Sequence, residues 1–221
     1  MIASIEMAFC CAALASWGPG PGGDSLPLEV LSEAEAEQRM SQSIFAAESI
    51  LLPENSLISI GPSGGPPVAT ALNDWAAGTT YGWMLAWDPS LQELSFEVRE
   101  SASDIELVTW TMPLETFNGL LFSAEVTEVS VAVNNWVLDG VPMDTDLLAD
   151  ITSNRMDLML SDADLNTTWR LKGDITFDWD GSFPATGMGR FGIYGLPVPA
   201  PSAALIILIP LIAGKRRRHR L

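Results

Sequence analysis

Basic residues, cysteine, histidine and tyrosine are all scarce in this chain, and each shortage removes a class of chemistry. The 221 residues include 28 acids but only 11 Lys and Arg, one His, two Cys and two Tyr. The single histidine, His219, lies in a basic cluster near the C-terminus, so Ser-His-Asp and Cys-His mechanisms and histidine-ligated metals have no imidazole in the body. Cys10 and Cys11 are adjacent within an apolar N-terminal stretch. The body therefore has no thiol nucleophile, no thiolate ligand and no disulfide staple.

Cations are not only few but segregated. Lys215, Arg216, Arg217, Arg218 and Arg220 crowd the last seven residues, leaving Arg39, Arg99, Arg155, Arg170, Lys172 and Arg190 against all 28 acids, a formal charge of −22 before the tail. Nucleic acid needs Lys and Arg to replace released counterions, so it is excluded as a partner. Lys172 alternates with Trp169 and Leu171 beside Arg170, which places both cations on the solvated face of a strand.

What is present divides the chain into four parts. Residues 1–15 contain an apolar stretch, Met7 to Ala15, with Ala13-Leu14-Ala15 as an A-x-A cleavage site. This has the make-up of a secretory signal peptide, although Glu6 precedes the stretch and no Lys or Arg does. Residues 16–31, rich in Pro and Gly at their start, read as a linker. Residues 32–195 form the expected folded domain, and 196–221 a separate C-terminal segment.

The domain opens with helix formers from Ser32, and Glu35 three residues later completes a capping box. Ser43 to Leu52 fits either the end of this helix or the first strand. Beyond Ser56 the hydrophobic period becomes two. Trp83, Leu85 and Trp87 alternate, Asp88-Pro89-Ser90 turns the chain, and Leu94, Phe96 and Val98 return it as a hairpin. Ile105 and Leu107 continue the pattern, followed by Leu120, Phe122, Ala124 and Val126; Val129, Val131 and Val133; and Met156, Leu158 and Leu160. Trp169, Leu171, Ile175, Phe177 and Trp179 form the clearest run, with Gly173 at the matching position predicting a bulge. Eight to ten short strands with no alternating helices predict a mainly β fold. The expected architecture is an antiparallel β-sandwich or jelly-roll-like domain with a short N-terminal helix and a single hydrophobic C-terminal helix.

Few side chains are placed for chemistry. Asp162, Asp164 and Asn166 have the oxygen spacing that opens a calcium loop, but Thr167 stands where that loop needs Gly and Gly173 where it needs Glu. Calcium is the one cofactor this pattern raises; turn formation is the simpler reading, as it is for Asp144 with Asp146 and Asp178 with Asp180. No catalytic residues are assigned and a non-enzymatic role is expected. Paired carboxylates leave a carbohydrate-active protein as the alternative. Trp83, Trp87, Trp169 and Trp179 fall in the apolar phase of strands and read as core, whereas Trp75 and Trp110 lack that phase and are the candidates for an exposed sugar-stacking platform.

The tail carries the strongest signal. Val198, Pro199, Ala200, Pro201 and Ser202 precede an apolar stretch from Ala203 to Gly214 that includes Leu205, Ile206, Ile207, Leu208, Ile209, Leu211 and Ile212, and the basic cluster from Lys215 to Arg220 follows. Twelve helical residues cover about 18 Å, short of the ~30 Å hydrocarbon core, so spanning needs residues from 196–202 as well. The flanking bases hold their end on the cytoplasmic side and leave the acidic body outside.

This order of features resembles the PEP-CTERM tail of bacterial exported proteins handled by exosortases, with Ala200 where that family usually has Glu. The resemblance implies export, transient tethering in the inner membrane, cleavage near Pro199 and Pro201 by an exosortase-type membrane enzyme, and delivery to the cell surface or the extracellular polysaccharide matrix. A permanent tail anchor is the alternative. The body blocks Asn73-Asp74-Trp75, Gly78 to Asp88, Leu94 to Val98 and Trp169 to Trp179 are similar to the choice-of-anchor W type of exported domain. That similarity implies a β-sandwich-like architecture and no reaction.

Overall fold

The computed structural model of the protein describes residues 25–197 apart from 102, 114, 115, 162 and 164. Two antiparallel sheets face each other. The first runs β1 (Glu29–Val30), β12 (Arg155–Leu160), β8 (Phe117–Thr127), β14 (Met188–Pro197), β2 (Phe45–Leu51), β3 (Leu57–Pro62) and β4 (Ala69–Leu72). The second runs β10 (Val141–Pro142), β9 (Ser130–Leu138), β13 (Trp169–Asp178), β5 (Thr80–Asp88), β6 (Glu93–Ser101) and β7 (Asp104–Thr111), with β11 (Leu147–Ala149) also paired to β9. The mainly β expectation holds, with one short helix, α1 (Glu33–Met40). The expected C-terminal helix, the sorting motif, the basic stop and the signal-like segment lie outside the described residues. Among the described residues no helix is long and apolar enough to cross a membrane.

Local chemistry explains the elements. Ser32 caps α1 through the expected box, its backbone N–H donating to Glu35 Oε2 at 3.0 Å. The helix stops at Met40, where the hydroxyls of Ser41 and Ser43 bond back to the carbonyls of Gln38 and Met40 at 2.7 and 2.6 Å. The ambiguous stretch after it is strand: Phe45, Ala47, Ser49 and Leu51 are buried in strict alternation between β14 and β3. In the β5–β6 hairpin the Asp88 carboxylate accepts from the backbone and hydroxyl of Ser90 at 2.9 and 2.6 Å, as the turn reading required.

One further expectation holds and one needs correction. Gly173 does sit at a register shift against β9, because a Cβ there would lie 2.8 Å from Trp136 Cβ and 3.0 Å from the Asn134 carbonyl. Ile105 and Leu107, however, alternate on the outer face and are 45% and 54% exposed. β7 is an edge strand whose inward phase is carried by Val108 and half-buried Trp110.

The core between the sheets is a network of rings in edge-on contact. Phe117 meets Phe45 at 5.5 Å, Trp87 at 6.1 Å and Trp169 at 6.0 Å, while Phe122 meets Trp136 at 4.9 Å. Edge-to-face geometry at these distances adds about 0.5–1.5 kcal/mol per pair beyond burial. On the outer face of the first sheet, α1 lays Ala36 and Met40 over Leu121, Met159, Tyr194 and Leu196. Arg155 ties the helix down through Glu33 and Glu37, each at 3.5 Å, while holding Asp157 at 2.8 Å.

β14 is the middle strand of its sheet, and its glycines make room for rings. A Cβ on Gly189 would lie 2.7 Å from the ring of Phe177, which reaches across from the other sheet. Gly82, by contrast, has only the Arg99 side chain at 3.4 Å. The Gly189→Ala variant is expected to lose about 1–3 kcal/mol by overpacking. It should show a lower urea midpoint with unchanged slope, whereas Gly82→Ala should hold or raise the midpoint.

Candidate functional site

A cleft of about 310 Å³ opens at one end of the sandwich, lined by Leu72, Asn73, Asp74, Tyr81, Glu100, Asp104 and Glu106. Three pieces of chain build it. The end of β4 and the loop after it supply residues 72–74, β5 begins with Tyr81, and the β6–β7 hairpin contributes Glu100, Asp104 and Glu106. Register explains the last of these: Glu106 lies opposite Val98, so it falls in the inward phase of β7 and faces the cleft.

Tyr81 organises the cleft floor. Its hydroxyl donates to the Asp74 carbonyl at 3.1 Å and accepts from the Ala76 backbone N–H at 2.9 Å, which fixes the turn of the loop. Trp75 packs beneath, its ring 4.8 Å from both Tyr81 and Phe177. The indole nitrogen of Trp75 and the amide nitrogen of Asn73 are buried without a protein partner. Four carboxylates and no Lys or Arg line the walls, so the cleft favours cations and neutral polar groups over anions. Among the described residues no group of three or more His, Cys, Asp or Glu is arranged to hold a metal ion.

The residues singled out from the sequence fall elsewhere or fall differently. Trp75 is 7% exposed, which corrects its reading as an exposed platform: a tryptophan in a loop folds inward when its neighbours offer rings to pack on. Trp110 is half-buried against the core, so it is not a free platform either. Trp83, Trp87 and Trp169 are core residues as expected, while Trp179 lies just past β13, half-buried against Phe183 at 5.1 Å.

Of the calcium candidates, Asp162 and Asp164 lie outside the described residues, and Asn166 is exposed at the bend before β13. That loop is pinned by Trp169, whose indole N–H donates to the Leu165 carbonyl at 3.1 Å. Asp178 accepts from the backbone N–H of Trp179 at 3.0 Å just past β13, whereas Asp144 accepts at the same distance from the backbone N–H of Leu28, remote in sequence, and so ties down the N-terminal segment. Arg170 is exposed and Lys172 half-buried on the outer face of the second sheet, where burial, then Arg170 and Arg99, lower the lysine's pKa.

Sequence reasoning missed Glu100, Asp104 and Glu106, which come together only through the β6–β7 turn and the approach of β4. The block Asn73-Asp74-Trp75 was the one visible signal. No protein-family model matches the chain, and no curated protein matches it closely enough to count as a relative.

Both tyrosines have raised pKa values. Burial is the main cause for each, reinforced at Tyr81 by the carboxylates of Glu100, Asp104 and Asp74, and at Tyr194 by Glu48. The folded protein therefore keeps phenolic protons that the unfolded chain releases near pH ~10. Stability from these groups is complete below that pH and falls as pH rises through the folded values. Phenolate absorbance should develop only above the ordinary tyrosine range near pH ~10 while the circular dichroism of the fold persists. Reversible ionisation near pH ~10 in an intact fold would contradict this account.

Proposed function

We propose that the protein is an exported bacterial surface or extracellular-matrix protein with a non-enzymatic, structural or adhesive role, delivered by a processed C-terminal signal. The single observation that carries this reading is charge segregation. Five of 11 basic residues stand behind a twelve-residue apolar stretch, and a body of formal charge −22 precedes it. A bilayer separates such a chain by sign, holding the bases on the cytoplasmic side.

The fold supports the same reading. With both cysteines at positions 10 and 11, the aromatic core holds the two sheets together without a disulfide. Strongly anionic protein stays soluble through self-repulsion. A glycan-stacking role through Trp75 or Trp110 lacks support, since the first ring is buried and the second half-covered.

Pro197 is the last residue of β14, and the motif Val198 to Ser202 follows it directly in the sequence. The partners this reading names are an exosortase-type membrane enzyme, the inner membrane during transit, and extracellular polysaccharide at the destination. Intact-mass measurement of the mature protein should show loss of about 20 C-terminal residues, abolished by replacing Pro199 and Pro201 with Ala. A full-length product retained in the membrane fraction would instead establish a permanent anchor, and one dissolved in the cytosol would end the export reading.

A further inference from the structure

The tail leaves the body from a strand with unusual support. β14 is fourth of seven in its sheet and is paired on both sides, to β2 from Gly189 to Gly195 and to β8 from Met188 to Pro197. Ile44 adds a backbone bond to the Gly195 carbonyl at 2.8 Å. Side chains pin it further: Arg190 pairs with Glu48, and the Tyr194 hydroxyl donates to the same carboxylate at 2.8 Å.

Two glycines of β14 then act as notches. Phe177 from the opposite sheet occupies the space over Gly189. The Phe45 ring from β2 fills the space over Gly195. Moving β14 along its own axis would drive these two rings into Phe191 or Ile193, both buried on the same face of the strand. A close-packed interior does not yield to such a shift without unpacking.

Direction matters as much as number. Tension along a central strand loads the bonds of both ladders together, whereas tension across a strand end breaks them one after another. Both neighbours of β14 begin where it ends, because Phe45 lies opposite Gly195 and Phe117 opposite Pro197. A pull on the tail that is resisted at the far end of the body therefore loads β14 in shear.

We propose that the body is built to bear mechanical load, with tension entering from the tail through β14 and resisted by its two ladders and its ring-in-notch packing. This rests on the tethering part of that reading: for as long as the tail holds the protein in the membrane, whether until processing or as a permanent anchor, the sandwich resists the pull between that tether and whatever holds the body.

The test is single-molecule pulling on the full chain in detergent, with one handle after Leu221 and the other on a reactive residue at one of two exposed turns. Glu54 follows β2 at the end remote from Pro197, so pulling there shears β14. Gln42 precedes β2 at the near end, so pulling there peels the same strands apart. The expected unfolding force is several-fold higher from Glu54 than from Gln42, since forced unfolding reads the barrier along the pulled direction. Equal forces, or a lower force from Glu54, would overturn the proposal. The comparison does not depend on processing in the cell, so failure of the sorting reading shows in the mature mass and failure of the mechanical one shows here.

Discussion

Room in the middle of the first sheet is the constraint on which the rest of the structure depends. β14 leaves space at Gly189 for a ring from the opposing sheet and at Gly195 for a ring from its neighbour, while Tyr194 folds over Gly192 on the outer face. Phe177 and Phe45, seated in this way, carry the contacts onward. Phe177 touches Trp75 at 4.8 Å beneath the acidic cleft, and Phe45 touches Phe117 at 5.5 Å in the centre of the core. Truncating a buried Phe or Trp costs about 3–5 kcal/mol, a large share of the stability of a domain this size. The spacing of the sheets and the floor of the cleft are thus set by the same strand.

Polar groups on the outer face of that sheet follow from the strand as well. Arg190 is half-buried and pairs with Glu48, whose carboxylate also accepts from the Tyr194 hydroxyl. Asp157 is buried at 3% exposure and is held by Arg155, which also reaches the acidic face of the helix. Exposed ion pairs contribute little to stability, so the apolar contact of Ala36 and Met40 with Leu121 and Met159 does more to hold α1. In a chain with so few cations, two of the six in the body are committed to this one surface.

How much was legible in the sequence depended on how local the determinants were. The β5–β6 hairpin was readable because its turn aspartate and both alternating runs are adjacent. So was the Gly173 bulge, which interrupts an otherwise regular run. The boundary between α1 and β2 was not, since Ala46, Ala47 and Glu48 favour helix in isolation and become strand only between β14 and β3. Ile105 and Leu107 misled because an edge strand can carry apolar residues outward while its inward phase faces a cleft. Trp75 misled for the opposite reason: lack of alternation marked it as a loop residue, and the loop folds in. The cleft joins residues from both sheets, and sheet order does not follow from hydrophobic period.

Native-state hydrogen exchange tests the central claim, that β14 is the strand the fold depends on. Backbone amides from Gly189 to Gly195 that exchange only through global unfolding, with the full stability of the domain, are the predicted result. Exchange of those amides through a lower-energy local opening, while β5 and β13 remain protected, would contradict it.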